Sequence, residues 1–415
     1  MSRYLIIADD ITGSNDTGVQ LKRRGLDTVV TLDAVSVGTQ PASYVLDTES
    51  RPLTGDAAFG VLSEAVSKLD MSKFDHVVKK VDSTLRGPIA HEVAAVDRAY
   101  KPELIVFMPA LPDLGRTTQH GVHMLQGKPI TETELAKDPI APVREDNLKK
   151  ILETVYDEPV THIGLEDIEN GNITLDGGRV YTFDAAANAH MRKVVSAAIA
   201  TGKRILWVGS AAIVDNLADV QAPYHPAVAL VASLSEISRE QVKYAQEKGI
   251  QAVVVPTEDI TSFIRNGGQP DIHREQQLIE QAVSIISGGQ DVMIVSSVTY
   301  DRAEMDKIDA AASSCGMTRA QVSKVVLQYM GRIMSGIVER VQISGIFITG
   351  GDTTMGFLSE VGATGLRIVS EVLIGIPLTR IVGGKCDNTK VITKAGAFGQ
   401  SDALFFCMRK LKEVN

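Results

Sequence analysis

The sequence predicts an α/β protein of two domains, each a mostly parallel β-sheet flanked by helices. Its 415 residues exceed what a single hydrophobic core usually supports. Apolar runs alternate with segments of helical periodicity along the chain, which is typical of strand–helix units. Two prolines in VQAPYHPAVALVAS interrupt this alternation near residues 222–228. We therefore expect domains at residues 1–225 and 226–415.

The first half shows strand-like runs in regular alternation with helical patterns. The predicted strands are RYLIIAD, TVVTL, SYVLDT, HVVKKVD, LIVFMPALP, THIGL and RILWVGS. The predicted helices are DTGVQLKRRG, which ends at Gly25, GDAAFGVLSEAVSKL, IAHEVAAVDRAY, and segments near 188–201 and 211–219. The polar segment 111–146 is rich in Gly, Pro and Thr. It is predicted to form short hairpins and loops over one edge of the sheet.

The second half restarts the same alternation after the two prolines. The predicted strands are AVALVAS, QAVVV, DVMIVSS, SGIFIT, two strands in LRIVSEVLIGIPLTRIVGG, and KVITK. The predicted helices are SREQVKYAQEKG, EQQLIEQAVSIISGG, a long helix over 319–341, and the segment that follows ITGG.

Composition and charge exclude several classes of function. Apolar residues make up 44% of the chain and charged residues 22%, as in ordinary globular proteins. The net charge of −9, the lack of a Lys/Arg run and an aromatic content of 5% argue against a nucleic-acid partner. No apolar run approaches the ~18 residues of a membrane span, and MSRYLIIADD is too short for a signal peptide. We expect a cytoplasmic protein whose cysteines, Cys315, Cys386 and Cys407, are reduced and buried.

Polar residues at the ends of predicted strands are the candidates for function, because ligands of open α/β sheets gather at the carboxyl ends of strands. Asp9 and Asp10 follow the first strand. They point to opposite sides for as long as the strand continues. One is expected to hold a substrate hydroxyl while the other caps the next helix or approaches a metal. The alternative is a pair of solvated turn aspartates, with Asp16 as the helix cap.

Arg51 follows SYVLD in the segment DTESR. An arginine at a strand end is able to grip a carboxylate through two parallel hydrogen bonds. Its alternative is an ordinary surface arginine.

The segment KKVDSTLRG places charges and hydroxyls at the end of another strand. Lys80 and Asp82 are two positions apart and so are expected to share a strand face. Ser83, Thr84 and Arg86 are predicted in the turn into the next helix, whose N-terminus attracts anions. Charged residues inside a strand are costly unless paired. The segment therefore predicts a site for an anionic, hydroxylated ligand, with a capped helix as the alternative.

Two further segments of the first half carry weaker signals. GRTTQHG provides Arg116 and His120 on a loop, which is either part of the site or a mobile surface loop. The small residues of VGSAAIVDNL permit either close approach to a ligand or tight packing.

Three small-residue turns in the second half indicate a nucleotide site. ITGGDTTMGF places Gly350, Gly351, Asp352 and Thr353 between a strand and a helix, where backbone N–H groups are able to cradle phosphates. KAGAFG contains Gly396, and VASLSEIS contains Ser233. The sequence lacks the G-x-x-x-x-G-K-[ST] pattern of a Walker-type loop, and no G-x-G-x-x-G follows the first strand.

Taken together, these motifs resemble the four-carbon acid sugar kinase family. The matching segments are ADDITGSND, DTESR, KKVDSTLRG, PALPDLGRTTQHGVH, ITGGDTT and VITKAGAFG, in the order found in the family. The resemblance covers residues 4 to 407. Two departures are Ser14, where the family often has alanine, and VASLSEIS, where a Gly-Ser turn is usual, which leaves the role of Ser233 open.

The resemblance implies a kinase that uses ATP and Mg²⁺ to phosphorylate the terminal hydroxyl of a four-carbon acid, with its active site in the interdomain cleft. DTESR and GSNDTGVQL are most similar to the D-threonate kinases of the family, which implies 4-phospho-D-threonate as product. ATP is then expected on the GGDT and KAG turns.

Site roles follow from the resemblance and the residue types together. Arg51 is expected to bind the substrate carboxylate, with Arg116 nearby. Asp9 or Asp10, with Asp82, Ser83 and Thr84, is expected to hold the hydroxyls. An aspartate among Asp9, Asp10 and Asp82 would activate O4, and Lys80 and Arg86 would neutralise the substrate or the transferring phosphoryl group.

Several alternatives stay open at this point. The substrate could instead be D-erythronate or a 3-oxo-tetronate, since the residues do not specify the configuration at C2 and C3. A sugar-acid-binding regulator without catalysis, an ATP-dependent ligase and an NAD-linked dehydrogenase are rival functions. No metal ligand is identified, and the late apolar strands leave a homodimer open.

Overall fold

The chain folds into two compact α/β units in a computed structural model that describes residues 2–414, with the backbone alone described at 319 and 320. The first unit ends at Pro223 and the second spans Tyr224–Glu413. Val414 belongs with the first unit, and its N–H donates to the Arg23 carbonyl at 2.7 Å. The predicted fold class of two mostly parallel sheets flanked by helices is confirmed. The predicted limits 1–225 and 226–415, and the cleft as the place of the active site, stay predictions.

The first unit is built on an eight-stranded parallel sheet in the order β2-β3-β1-β4-β11-β5-β10-β9. These strands are β1 (Tyr4–Ala8), β2 (Thr28–Thr31), β3 (Ser43–Asp47), β4 (His76–Lys80), β5 (Leu104–Met108), β9 (Val160–Ile163), β10 (Val180–Phe183) and β11 (Ile205–Gly209). Three short strands, β6 (Arg116–Gln119), β7 (Val122–Leu125) and β8 (Lys128–Pro129), form a separate antiparallel sheet. The hairpins predicted in 111–146 are therefore present.

Helices cover both faces of this sheet. They are α1 (Ile11–Arg23), α2 (Gly55–Ser67), α3 (Ile89–Tyr100), α4 (Leu148–Glu153), α5 (Leu165–Asn170), α6 (Asn188–Ala200) and α7 (Ala211–Gln221). Side chains from α1, α5, α6 and α7 pack with Ile6 and Trp207 on one face. Those from α2, α3 and α4 pack with Ile7 and Leu206 on the other. Alternate residues of each strand thus belong to two separate cores.

The second unit contains a seven-stranded sheet in the order β13-β14-β12-β15-β18-β17-β16. Its strands are β12 (Ala227–Val231), β13 (Gln251–Val255), β14 (Val292–Ser296), β15 (Gly345–Thr349), β16 (Gly365–Leu373), β17 (Ile376–Val382) and β18 (Lys390–Lys394). Only the pairs made by β17, with β16 and with β18, are antiparallel. Its helices are α8 (Glu236–Glu247), α9 (Thr257–Arg265), α10 (Ile272–Ser287), α11 (Ser297–Tyr300), α12 (Glu304–Ser314), α13 (Arg319–Val338), α14 (Gly351–Glu360) and α15 (Ala403–Lys412).

Several elements are present that the sequence patterns did not predict. They are β10 and α4, α5, α9, α11, α12 and α15. Strand β10 has only four residues, VYTF, and α4, α5 and α11 span two turns or fewer. Helix α15 carries its apolar face on residues such as Leu404, Cys407 and Leu411, which pack on the second sheet. The short elements β10, α4, α5 and α11 give a weak periodic signal, and such elements are stabilised mainly by tertiary packing.

The cysteines differ from the prediction at one position. Cys386 and Cys407 are buried free thiols, whereas Cys315 is free and exposed. Cys315 follows the last turn of α12 and precedes Gly316, so it lies at a helix end and not on a packed face. In the part of the chain that is described, no helix combines the length and the apolar character that crossing a membrane requires.

Candidate active site

Three segments of the first unit meet at the carboxyl ends of neighbouring strands. Strand β1 lies between β3 and β4, and it leads into Asp9 and Asp10. Strand β3 leads into the DTESR turn and β4 into KKVDSTLRG. After β1 the chain continues to β2 and β3 on one side of β1, and then crosses to β4 on the other side. The end of β1 is therefore the topological switch point of this sheet, where ligands of open α/β sheets bind.

Asp9 and Asp10 both bind the guanidinium of Arg51. Arg51 Nε donates to Asp9 Oδ2 at 2.7 Å, while Nη1 and Nη2 donate to the two oxygens of Asp10 at 2.6 and 2.7 Å. The expectation that the two aspartates face opposite sides does not apply, because β1 ends at Ala8. Asp10 also caps α1, accepting the Gly13 N–H at 2.9 Å. Asp16, the alternative cap, lies inside α1.

Arg51 is held by these carboxylates in a mostly buried position. Burial alone would lower the pKa of Arg51, but the hydrogen bond that Arg51 donates to Asp9 and the charges of Asp9, Asp82 and Asp10 outweigh it and raise the pKa. Arg51 Nη2 lies 4.0 Å from Asp82 Oδ1. Three of its five N–H groups already bond to Asp9 and Asp10. The other two N–H groups of Arg51 remain for a substrate carboxylate.

Lys80 is a buried cation at the end of β4. Its Nζ donates to the Val81 carbonyl at 2.8 Å. Burial lowers the pKa of Lys80, and the charges of Asp9, Asp82 and Asp10 oppose that effect. A Cβ atom at Gly13 would lie 2.8 Å from Lys80 Nζ and 2.5 Å from Asp10 Oδ1. The glycine of ADDITG therefore leaves the space in which this ammonium approaches the first turn of α1.

Asp82 organises the turn between β4 and α3. It accepts hydrogen bonds from the Thr84 hydroxyl and, at 2.7 Å, from Arg86 Nε. Burial would raise the pKa of Asp82, but the bond from Arg86, the charge of Arg51 and the bond from Thr84 lower it to about 2. Lys80 and Asp82 do not share a strand face as predicted, because β4 ends at Lys80 and Asp82 lies two residues beyond it. Because its pKa is low, Asp82 is ionised at neutral pH and anchors the turn through these hydrogen bonds.

The backbone of this turn is unusual at two positions. Leu85 has a φ of 61°, which is costly for a residue with a branched side chain. Gly87 has a φ of 92°, and a Cβ there would lie 3.2 Å from Arg51 Cγ and 3.3 Å from the Arg51 carbonyl. The final glycine of KKVDSTLRG thus permits the turns after β3 and β4 to contact each other.

His123 supports the same turn, although the pattern of residues did not single it out. Its Nε2 lies 2.9 Å from the Ser83 carbonyl and its Nδ1 lies 2.9 Å from Thr118 Oγ1. Burial lowers the pKa of His123 to about 4, so the ring is neutral at pH 7. The sequence carries one signal for His123, because it ends GRTTQHGVH, the segment that also contains Arg116 and His120.

Arg116 and His120 lie on the hairpin of β6 and β7. Arg116 Nη1 donates to the Leu114 carbonyl at 3.2 Å, and not to the group around Arg51. His120 is exposed and has a φ of 53°. Its N–H and that of Gly121 donate to the buried carboxylate of Asp184 at 2.7 and 2.9 Å. These two bonds connect the hairpin to the residue that follows β10.

Asp47 is a second residue that sequence reasoning missed. It ends β3, is buried, and its Oδ2 has no hydrogen-bond partner among the residues described. Burial is the main cause that raises the pKa of Asp47 to about 6, and the charges of Glu49 and Asp10 add to it. The signal was present in DTESR, whose first residue is this aspartate.

The second unit brings its three small-residue turns together in the same manner. They follow β12, β15 and β18, which are neighbours in the sheet, and the switch point lies between β12 and β15. Gly350, with a φ of 97°, precedes α14, and Gly351, Asp352 and Thr353 form the first turn of that helix. A Cβ at Gly351 would contact nothing within 4 Å. An open helix N-terminus of this kind suits a phosphate group.

The other two turns contact each other and the first turn of α8. A Cβ at Gly396 would lie 3.1 Å from Ser233 Oγ, and the Gly396 carbonyl accepts from Ser238 Oγ at 3.1 Å. Lys394, the first residue of the predicted KAG turn, donates to the carbonyls of Ala395 and Gly396 at 2.9 and 3.0 Å. Burial lowers the pKa of Lys394 to about 8. The side chain of Thr349, at the end of β15, is buried with an unpartnered hydroxyl within the described residues.

These turns fit the phosphates of a nucleotide better than they fit a protein-bound metal. Small residues, the N–H groups of the first turn of α14 and the buried Lys394 lie at the ends of these neighbouring strands. Within residues 2–414, no group of three or more His, Cys, Asp or Glu side chains is arranged to hold a metal ion.

Comparison with known families matches both halves of the chain. Residues 4–217 match the family described as "Sugar-binding N-terminal domain", and residues 228–404 match "Nucleotide-binding C-terminal domain". Together they cover nearly all of the elements described above.

Curated relatives align along the whole length. The D-threonate kinase of Salmonella typhimurium is 32% identical, with 99% of each chain covered. The D-threonate kinase of Bordetella bronchiseptica is 27% identical, covering 98% of this chain and 97% of its own. The D-erythronate kinase of Heliobacterium modesticaldum is 26% identical over the same shares.

A solved structure is similar over both units. It is a Bordetella bronchiseptica protein with a domain of unknown function, crystallised with bound citrate as a domain-swapped dimer. It is 26% identical, with a TM-score of 0.62, and the alignment covers 99% of this chain and 98% of that one.

Proposed function

This chain belongs to the four-carbon acid sugar kinase family, and on that basis we propose that it transfers the γ-phosphoryl group of ATP to O4 of D-threonate. The observation that carries the proposal is the cluster of Asp9, Asp10, Arg51, Lys80 and Asp82 at the switch point of the first sheet. Three relatives that align over at least 97% of their own length are named D-threonate kinases, which supports D-threonate over D-erythronate.

The acid binds where cations and carboxylates alternate. Arg51 is already shared between Asp9 and Asp10, whereas Lys80 donates to a backbone carbonyl. Lys80 therefore has N–H groups and charge to offer to the substrate carboxylate or the transferring phosphoryl group. Arg51 contributes its remaining N–H groups and fixes the aspartates. The Ser83 and Thr84 hydroxyls and Arg86 line the adjoining turn. Arg116 would have a more distant role, because it donates to the Leu114 carbonyl.

Asp9 is the best candidate for the proton acceptor. Asp82 is a weak base, because its pKa is about 2. Both oxygens of Asp10 accept bonds from Arg51, and one of them also accepts the Gly13 N–H. Asp9 Oδ2 binds Arg51 Nε, while its Oδ1 has no partner among residues 2–414. That oxygen is left for the substrate O4–H, which it would orient and partly deprotonate.

ATP is proposed to bind at the start of α14. Gly350, Gly351, Asp352 and Thr353 would hold its phosphates, with Gly396 and Ser233 beside them. Mg²⁺ would supply charge neutralisation on the β- and γ-phosphates. The protein contributes positioning and electrostatic stabilisation, since phosphoryl transfer requires no covalent intermediate with the enzyme.

We also propose an oligomeric state and a cellular location for the protein. The similar structure is a domain-swapped dimer, and we propose a homodimer here as well. Strand β16, at one edge of the second sheet, exposes Ile368 and Val369, which makes it a surface for pairing. A cytoplasmic location is proposed because ATP is the expected co-substrate.

The test is a coupled ADP-release assay with Mg-ATP. The acids are D-threonate, L-threonate, D-erythronate, L-erythronate and 3-oxo-tetronate. Turnover confined to D-threonate is the expected result, and turnover of another acid in its place would refute the choice of substrate. Release of AMP would favour the ligase. Binding of an acid without any nucleotide turnover would favour the regulator.

A further inference from the structure

A buried chain of hydrogen bonds lies directly beneath the candidate acid site. It begins at Thr48, whose hydroxyl donates to the Ala8 carbonyl at 2.7 Å and lies 2.9 Å from Ser50 Oγ. The Ser50 hydroxyl donates to Glu92 Oε1. Glu92 Oε2 lies 3.1 Å from Lys79 Nζ, which also donates to the Lys80 carbonyl at 2.8 Å.

This chain of bonds joins the ends of the three strands that carry the site. Ala8 ends β1, Lys79 and Lys80 end β4, and Thr48 and Ser50 belong to the turn after β3. Glu92, on α3, is the central member. Three members of this chain of bonds directly precede a side chain of the candidate site, since Asp9 follows Ala8, Arg51 follows Ser50 and Lys80 follows Lys79.

The burial of these groups sets them apart from an ordinary surface ion pair. The side chains of Lys79 and Glu92 are 0% and 1% exposed, and Ser50 is fully buried. A buried ion pair often contributes little net stability relative to apolar residues of similar size. Val77 and Val78, which precede Lys79 in β4, are buried in the apolar cores on the two faces of the sheet. A buried charge pair here therefore invites an explanation other than stability.

Lys79 and Lys80 have opposite environments, as neighbours in a strand must. Lys80 faces the start of α1 and the aspartates, whereas Lys79 faces the core under α3. The pair of lysines in KKVDSTLRG thus provides one group for the site and one group for its support.

We propose that Glu92 is a positioning residue that acts through Ser50 and Lys79 to set the geometry of Arg51 and Lys80 for the acid substrate. This inference rests on the proposed function for its kinetic readout, but its structural readout is independent. The Arg51 N–H donates to the Asp9 carbonyl at 3.2 Å and the Thr48 N–H donates to the Ala8 carbonyl at 3.0 Å. Loss of the Ser50–Glu92 bond would release this turn and displace the guanidinium.

The first variant is Ser50→Ala, which removes one hydroxyl and leaves the Lys79–Glu92 pair intact. We expect KM for the acid to rise about tenfold, because small displacements of a positioning group have large effects. KM for ATP should stay within about twofold, since its site is in the other unit. Hydrogen exchange at the Thr48 and Arg51 amides should become faster.

The second variant is Glu92→Gln, which leaves Lys79 buried without its counter-charge. We expect a larger rise of KM for the acid and a lower Tm. Its matched control is Asp97→Asn, on the same helix. Asp97 accepts from Arg179 at 2.6 and 3.1 Å, at the opposite end of α3. This control should lower Tm while leaving KM for the acid and the exchange of both amides unchanged.

The outcomes separate this inference from the proposed function. Unchanged KM and unchanged exchange in Ser50→Ala would overturn the positioning role. An equal rise of KM in Asp97→Asn would overturn it too, because the effect would then follow general stability. If the unaltered protein phosphorylates none of the acids, the proposed function fails. Faster exchange and weaker equilibrium binding of D-threonate in Ser50→Ala would still support the inference, and unchanged values of both would overturn it.

Discussion

The low pKa of Asp82 predicts how much its ionised carboxylate contributes to the free energy of unfolding. Although burial opposes ionisation, the bonds and charges of Arg86, Arg51 and Thr84 lower its pKa from the ordinary 3.8 to about 2. One pKa unit corresponds to about 1.4 kcal/mol. Because the folded pKa lies below the unfolded one, the ionised carboxylate contributes about 2 kcal/mol to the free energy of unfolding above pH 4. This contribution is lost as the pH falls from 3.8 towards 2.

The substitution Asp82→Asn mimics the protonated carboxyl group and tests this value. We expect the variant to be less stable by about 2 kcal/mol at pH 7, and the difference to shrink to about 1 kcal/mol at pH 3. Urea unfolding followed by fluorescence measures it, because Trp207, the single tryptophan, is buried in the first unit. Asp16→Asn, at an exposed position of α1, is the control and should change nothing. A difference that is absent at pH 7, or that does not narrow in acid, would refute the reasoning.

Three further substitutions address the separate parts of the site. Asp9→Asn should lower kcat at least about 100-fold with little change in KM, since a general base is removed, and full kcat would place the base elsewhere. Gly13→Ala should raise KM for the acid about tenfold, because its Cβ would lie 2.8 Å from Lys80 Nζ; an unchanged KM would mean that Lys80 does not bind the acid. Gly350→Ala should raise KM for ATP and leave acid binding intact, because a φ of 97° disfavours alanine; weaker acid binding, measured by calorimetry, would contradict the separation of the two sites.

The arrangement of the strands explains how the sequence indicates several residues of the candidate site. Asp9, Arg51 and Asp82 each follow an apolar run within a few residues. Such polar residues are expected at the carboxyl ends of strands, where ligands bind. The sheet order then brings three of these ends together, and sequence alone does not give that order. The contact of Arg51 with both Asp9 and Asp10 depends on β1 ending at Ala8, and strand ends are the least certain feature of a sequence pattern.

Other features depend on residues that are distant in sequence. Glu92 is helical and would be expected on a surface, yet it is buried against Lys79 because α3 packs on that face of the sheet. His123 bonds to the Ser83 carbonyl across 40 residues, through a hairpin whose position no local pattern gives. Asp47 was visible in DTESR, but its raised pKa follows from burial beside Glu49 and Asp10. Contacts of this kind become visible only with the fold.

The most direct test of the account is the position of the phosphoryl group in the product of D-threonate and Mg-ATP. The proposed mechanism requires an alcohol as acceptor, activated by a carboxylate at the end of β1. Phosphorus and proton NMR of the purified product should therefore show a phosphomonoester on C4, with one ADP formed per ester. An acyl phosphate on C1, or ADP formed without any phosphorylated acid, would contradict it.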